Sequence, residues 1–478
     1  MNSLKKTIIY GTFWSIIGQF GYISITLITN VILARVLSPY IFGQIGIVMF
    51  FIILSNVLVE GGMGGALIRK IEVKNIDYST VFIFNLLVSV ILFLGITLAS
   101  GYIAENYRDP SLKKILIVSA FILIINAFQL VHNIKLIREL KFKKKAIYNL
   151  CAIFSASLIG IWLAFNGFGV WSVVFIQLLN SIFTSILYWV FEGTFGKIIF
   201  SKPIFVELYK FGANTTISQL INSAFDNIYS LVLGRFFSIN QVGMFYQSKR
   251  LQDVPSALVS VTASGIVYSS ISKIQNDKEK FINVFNKIFI IYTIIIGFIT
   301  IISFFYSSNF ILILYGDKWV EAVYYMKLLS VVTFFYSLSI VNELLFKVYD
   351  VTKKILHIMF VRNIIQISTI ILGVYYHNLN ALIYGFIFST FISFVLYYYY
   401  SRKTIHFFDK KEFLKLINVI VISIAILVFF SYLQIWLKLS GNITFVFAPF
   451  ILFIYLFSIE KLQVFNIADE IKLILFKK

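Results

Sequence analysis

Asp226, Lys249, Arg250 and Asp253 are the residues best placed to do chemistry, because they interrupt two long apolar stretches, 207–234 and 242–271. A charge carried to membrane depth costs roughly 2.5–3.5 kcal/mol unless it is paired or hydrated. Asp226 precedes the turn at Arg235 by about nine residues, and Lys249, Arg250 and Asp253 follow Asn240 by about nine to thirteen, so equal helical rise puts them at comparable depth. Such a set forms a hydrated, net cationic site that attracts a pyrophosphate, with Asp226 holding the basic groups in place. The same charges would also serve as a structural salt bridge between two helices. Glu60, with Asn56 one turn before it, is a candidate coupling carboxylate whose protonation changes with access; a solvated carboxylate at a helix end is the plainer reading. Glu343 and Arg362 lie near the ends of their stretches and could pair, Glu343 being a further coupling candidate.

No catalytic constellation accompanies these charges. The sequence has no Gly-rich phosphate loop with its lysine, no His-Glu-x-x-His and no Gly-x-Ser-x-Gly, and its four histidines are scattered. The single cysteine, Cys151, excludes an internal disulfide framework or cysteine cluster. No catalytic residues, metal site or cofactor are therefore expected, and energy must come from an ion gradient, the membrane potential or downstream consumption. H+ and Na+ are the candidate ions.

The elements that position the charges are membrane spans. Apolar residues make up 59% of the 478 and charged residues 13%, the reverse of a soluble domain. Stretches of spanning length fall at 8–34, 41–62, 79–104, 112–134, 147–165, 170–191, 207–234, 242–271, 281–305, 322–346, 354–376, 380–400, 414–433 and 442–459. Fourteen spans put both termini on one side. Lys and Arg number about thirty on that side and about eight on the other, which makes both termini cytoplasmic. The net charge of +20 thus belongs to short basic loops facing anionic lipid and does not imply nucleic acid. The longest external connection, about Tyr306 to Glu321, is too small for a catalytic domain.

Shifting the sequence by 200 residues aligns "ARVLSPYIFG" from Ala34 with "GRFFSINQVG" from Gly234, matching Arg35 with Arg235, Ser38 with Ser238 and Gly43 with Gly243. In the first span Ser15, Gln19, Tyr22, Thr26 and Asn30 share one helix face; at the same shift stand Thr215, Gln219, Asn222, Asp226 and Ser230. Six spans separate the copies, so the halves relate by an axis along the membrane normal, with a substrate path between them. The expected architecture is an all-α integral membrane protein. It has an N-terminal lobe at 1–200, a C-terminal lobe at 201–403, and a helix pair with a cytoplasmic tail at 404–478. Candidate path residues are Gln19, Asn30, Arg35, Gln219, Asn222, Asp226, Lys249 and Arg250. Gly61, Gly62, Gly64 and Gly65 would end or bend the second helix; most aromatics, with Tyr397 to Tyr400 by the inner interface, would be lipid-facing or belt residues, and a few in the cavity could stack on sugar rings.

This layout, with "LARVLSPYIFGQIGI" followed by "EGGMGGALIRK", resembles the Wzx-type polysaccharide flippases of the multidrug/oligosaccharidyl-lipid/polysaccharide exporter superfamily, especially the colanic acid exporter branch. The resemblance covers the whole chain in layout and is sharpest over about the first seventy residues. It implies a flippase in a bacterial inner membrane. The cargo would be an undecaprenyl-pyrophosphate-linked oligosaccharide for surface polysaccharide or O-antigen, with membrane lipids and a polymerase machinery as partners. The alternatives are a cation-coupled multidrug exporter of the same superfamily and, from another class, a membrane polysaccharide polymerase or glycosyltransferase.

Overall fold

The structure, a computed structural model, describes residues 2–263, 267–406, 409–437 and 441–466. The expected tail beyond residue 466 and residues 264–266 of the eighth expected span lie outside the described residues. The regular structure described is helical throughout. This is what lipid demands, since backbone polar groups in a bilayer must be satisfied within the segment.

The chain divides into two compact units, Met1–Tyr246 and Gln247–Lys478. The first contains α1 (Asn2–Val36), α2 (Pro39–Glu60), α3 (Met63–Arg69), α4 (Asn75–Asn106), α5 (Ser111–Arg138), α6 (Phe142–Phe165), α7 (Val170–Glu192), α8 (Lys202–Phe236) and the start of α9 (Ile239–Thr262). The second contains the rest of α9, then α10 (Tyr268–Ser272), α11 (Lys278–Phe305), α12 (Ser307–Tyr315), α13 (Ala322–Val348), α14 (Lys353–Tyr375), α15 (Leu379–Thr404), α16 (Lys410–Trp436) and α17 (Phe447–Lys461).

Each of the fourteen expected spans corresponds to a long helix. Among the described residues, 12 helical segments are long and apolar enough to cross a membrane. α8 and α9 have the length but not the apolarity, because they carry the polar residues of the repeat. The breaks between helices reproduce the 200-residue register: α1 ends at Val36 and α8 at Phe236, while α2 begins at Pro39 and α9 at Ile239. At this junction the two starts cross backbone to backbone. A Cβ on Gly43 would lie 1.9 Å from the Ile239 carbonyl oxygen, and one on Gly243 would lie 1.9 Å from the Pro39 carbonyl oxygen. The contact is therefore reciprocal under the repeat, and only glycine fits on either side.

The opposite end of α2 closes in the same manner. Gly61 and Gly62 adopt φ of 55° and 64°, the left-handed region that ends a helix at glycine. Gly212 of α8 packs on this turn, so that a Cβ there would meet the Gly61 carbonyl oxygen at 2.6 Å.

In the first unit α1 packs on α6, α4 on α5, α5 and α6 on α7, and α2 on α5 and α8. Met63, Leu67, Tyr78, Phe82 and Val131 form one of its apolar cores. In the second unit α13 packs on α11 and α15, α15 on α14, and the terminal helices α16 and α17 attach to α11 through Ile290, Ile301, Val419, Ile451 and Tyr455. The Tyr455 hydroxyl donates to the Ile294 carbonyl at 2.8 Å.

The connection from Tyr306 to Glu321 is largely helical: α12 folds within it and buries Ile311 and Tyr315, with Trp319 buried just beyond its end, since a nine-residue apolar run too short to span can still pack. Tyr397 and Tyr398 are buried rather than lipid-facing, whereas Tyr399 is exposed.

Candidate functional site

The first unit contains an open polar hollow of about 450 Å³. Four helices supply its amides and charges at three- or four-residue spacing, the repeat that keeps side chains on one helix face. α2 supplies Asn56 and Glu60; α5 supplies Asn126, Gln129 and Asn133; α6 supplies Lys145 and Asn149; α7 supplies Asn180, Thr184 and Tyr188. Tyr22 of α1 completes the wall.

The amides form a partial relay. Gln129 Nε2 donates to Asn126 Oδ1 at 2.6 Å, and Asn126 Nδ2 donates to Asn56 Oδ1 at 2.9 Å. The Tyr188 hydroxyl donates to Asn149 Oδ1 at 3.0 Å. Asn180 Oδ1 is buried with no hydrogen-bond partner among the described residues. Neither Glu60 nor Lys145 has an ion-pair partner among the described residues, although both face the same hollow. An adjoining hollow of about 390 Å³ shares Tyr22, Lys145 and Asn149 and is lined further by Trp14, Ser15 and Gln19.

Lys145 stands apart from its sequence neighbours. Lys144 pairs with Glu192 at 2.9 Å, together with Lys141 at 3.5 Å, while the Lys143 ammonium lies 5.3 Å from the centre of the Trp14 ring. Successive residues turn by about 100° on a helix, so three consecutive lysines reach three different surroundings.

Of the residues expected from sequence, Glu60 lines the larger hollow and Gln19 the smaller. Asn30 is buried on α1, Arg35 is exposed at its end, Gln219 is exposed on α8, and Asn222 and Asp226 are half-buried there; none of these lines either hollow. In the second unit Lys249 and Arg250 are half-buried and Asp253 is exposed on α9. Glu343 pairs with Lys347 one turn later at 2.8 Å. The amides of α5, α6 and α7 were missed by sequence reasoning, although their helical spacing is legible there.

Outside the spanning segments, Asp109 anchors the start of α5. It accepts from the Tyr40 hydroxyl at 2.8 Å, Gln44 Nε2 at 2.6 Å, and the Ser111 hydroxyl at 2.6 Å and amide at 3.0 Å. Burial raises the pKa of its carboxyl, but these hydrogen bonds together outweigh burial and hold it below the ordinary aspartate value. Nearby, Arg235 donates to the Asn106 carbonyl, and burial pushes the Tyr107 hydroxyl up to about 12 despite the opposing charge of Arg235.

The model of the family described as "Polysaccharide biosynthesis protein" matches residues 32–324. The lipopolysaccharide biosynthesis protein WzxC of Escherichia coli strain K12 is 24% identical over 343 residues, covering 69% of this chain and 68% of that protein. The succinoglycan biosynthesis transport protein ExoT of Rhizobium meliloti strain 1021 is 22% identical over 281 residues, covering 58% and 56%. Among solved structures, the lipid II flippase MurJ in an inward closed conformation superposes with a TM-score of 0.74 at 17% identity, covering 94% of this chain and 98% of that one.

Proposed function

The chain belongs to the polysaccharide biosynthesis protein family, and from that premise we propose that it is a flippase carrying a lipid-linked oligosaccharide across a bacterial inner membrane. The observation that carries the reading is the amide-lined hollow walled by spanning helices, a polar place whose hydrogen-bonding capacity exceeds what the helices use among themselves. The name of ExoT, a transport protein, and the fold shared with the flippase MurJ support a transported glycan over a reaction performed on it.

In this reading both termini are cytoplasmic, and an undecaprenyl-pyrophosphate-linked oligosaccharide passes from the cytoplasmic to the outer leaflet by alternating access while its tail stays in lipid. The path follows the polar residues of α1, α8 and α9, namely Gln19, Asn30 and Arg35, then Gln219, Asn222 and Asp226, then Lys249 and Arg250. The basic groups meet the pyrophosphate, and Asp226, Asp253 and Glu343 are the carboxylates through which H+ or Na+ would couple, with Glu60 a candidate for H+ alone. The product feeds surface-polysaccharide polymerisation.

The test is to delete the gene and measure surface polysaccharide and undecaprenyl-pyrophosphate-linked oligosaccharide. Lost polymer with intermediate accumulating on the cytoplasmic face is expected, and the Lys249→Ala, Arg250→Ala double variant should fail to restore the polymer while still being expressed. Normal polymer with altered drug tolerance would replace the reading with a drug exporter.

A further inference from the structure

The amide hollow of the first unit has a chemistry of its own. With the relay from Gln129 through Asn126 to Asn56 formed, the Asn56 amide group, Gln129 Oε1, the Asn149 amide group and Asn180 Oδ1 have no further partner among the described residues. Donors and acceptors are thus both available on one wall, and the carboxylate of Glu60 and the ammonium of Lys145 add an acceptor-only and a donor-only group to it. A bare monovalent cation suits this place poorly, because an ammonium and several amide N–H groups share the wall and the volume far exceeds an ion. A pyrophosphate suits it poorly as well, since a single lysine faces it beside a carboxylate. A ligand whose groups each donate and accept suits it well.

We propose that this hollow is a binding site for an uncharged sugar ring of the carried glycan. The carboxylate of Glu60 accepts from neighbouring ring hydroxyls, Lys145 donates to ring or acetamido oxygens, and the side-chain amides complete the set, with Tyr22 and Tyr188 at its edge. The volume of about 450 Å³ falls in the range that bound small molecules occupy. The site rests on the flippase reading and deepens it: the glycan would be gripped within the first unit by amides, separately from the basic residues of α9. It also gives Lys145 and Glu60 a purpose as ligand contacts that need no ion pair.

The experiment uses the full chain in its own cells. Tyr22 is replaced by p-azidophenylalanine, a change of little bulk, and Leu98, 84% exposed on α4, is replaced likewise as a control. After irradiation the cross-linked peptides are analysed by mass spectrometry, and polysaccharide is measured in a deletion strain carrying each variant. Expected are adducts containing hexose or N-acetylhexosamine mass at Tyr22 and none at Leu98, falling at least tenfold when Gln129→Leu and Asn149→Leu are added. Asn133→Leu, which breaks no hydrogen bond among the described residues, is the second variant and should lower the adduct severalfold in a protein that still purifies as a single species.

A Tyr22 adduct without sugar, or with phosphate alone, in a strain whose polysaccharide the gene restores would overturn the site and leave the flippase reading standing. Sugar adducts that the leucine variants do not reduce would overturn it too. Sugar adducts in cells whose polysaccharide is indifferent to the gene would support the site and sink the transport reading.

Discussion

Replacing Gly43 or Gly243 by alanine tests the reciprocal crossing of α2 and α9. The added methyl at Gly43 would sit 1.9 Å from the Ile239 carbonyl oxygen and 2.7 Å from Ile239 Cγ2; at Gly243 it would sit 1.9 Å from the Pro39 oxygen. Non-bonded atoms settle at roughly 3.5–4.0 Å, so the two helix starts would have to part by at least about 1 Å. The obstructing atoms are backbone and cannot rotate away. Overpacking of a tight interface costs about 1–3 kcal/mol. For a unit of 246 residues, at about 2–4 °C per kcal/mol, the apparent melting temperature should fall by roughly 2–12 °C. Gly101→Ala is the opposite control, because nothing lies within 4 Å of a Cβ there and it sits inside α4. Alanine exceeds glycine within a helix by about 0.5–1 kcal/mol, so that variant should melt slightly higher. Both are read by fluorescence melting of purified protein in one detergent. A Gly43→Ala protein melting within about 1 °C of the parent, or a Gly101→Ala protein destabilised equally, would refute the claim that backbone contact fixes this crossing.

Other perturbations follow from single side chains. Glu192→Gln removes the carboxylate, 4% exposed, on which Lys141, Lys144 and Tyr148 converge; the loss of charge-assisted bonds should lower stability by about 1–2 kcal/mol, measured by the same melting assay. Asp109 has a depressed pKa, so its contribution is fully present above the ordinary aspartate value near 3.9 and lost as pH falls through the lower folded value. The melting-temperature gap between parent and Asp109→Asn should therefore hold from pH 7 to about 4 and narrow below it; a constant gap down to about pH 2.5 contradicts the network described. Arg402, 4% exposed, bonds Asn286 and stacks on Tyr398 with 4.9 Å to the ring centre. Because lysine cannot reproduce the planar stack, Arg402→Lys should cost about 1–2 kcal/mol, and an unchanged melting point would show that charge alone suffices.

What the sequence discloses follows from which physics acts along the chain and which acts across it. Spans are legible because lipid imposes a length and an apolarity on each helix separately, and the repeat is legible because Arg35, Ser38 and Gly43 recur as Arg235, Ser238 and Gly243. α12 is not legible: its apolar run is too short to span, and whether such a run packs or dangles depends on partners elsewhere in the chain. The amide hollow lies between these cases. Asn126, Gln129 and Asn133 repeat at helical spacing, as do Asn180, Thr184 and Tyr188, but periodicity within a helix does not say that the faces of α5, α6 and α7 meet. Following the 200-residue repeat brings up the amides of α1 and α8 and passes over those of α5, α6 and α7.

Lys145 makes the point most sharply. In the run Lys143 to Lys145 it reads as one of three topology-setting lysines facing lipid headgroups, and two of them do take ordinary partners, Trp14 and Glu192. Only the 100° rotation between successive residues, together with the hollow walled by α5 and α7, turns the third inward. Its role is then set by what shares the hollow with it, an argument that begins from one residue but cannot be completed on one helix.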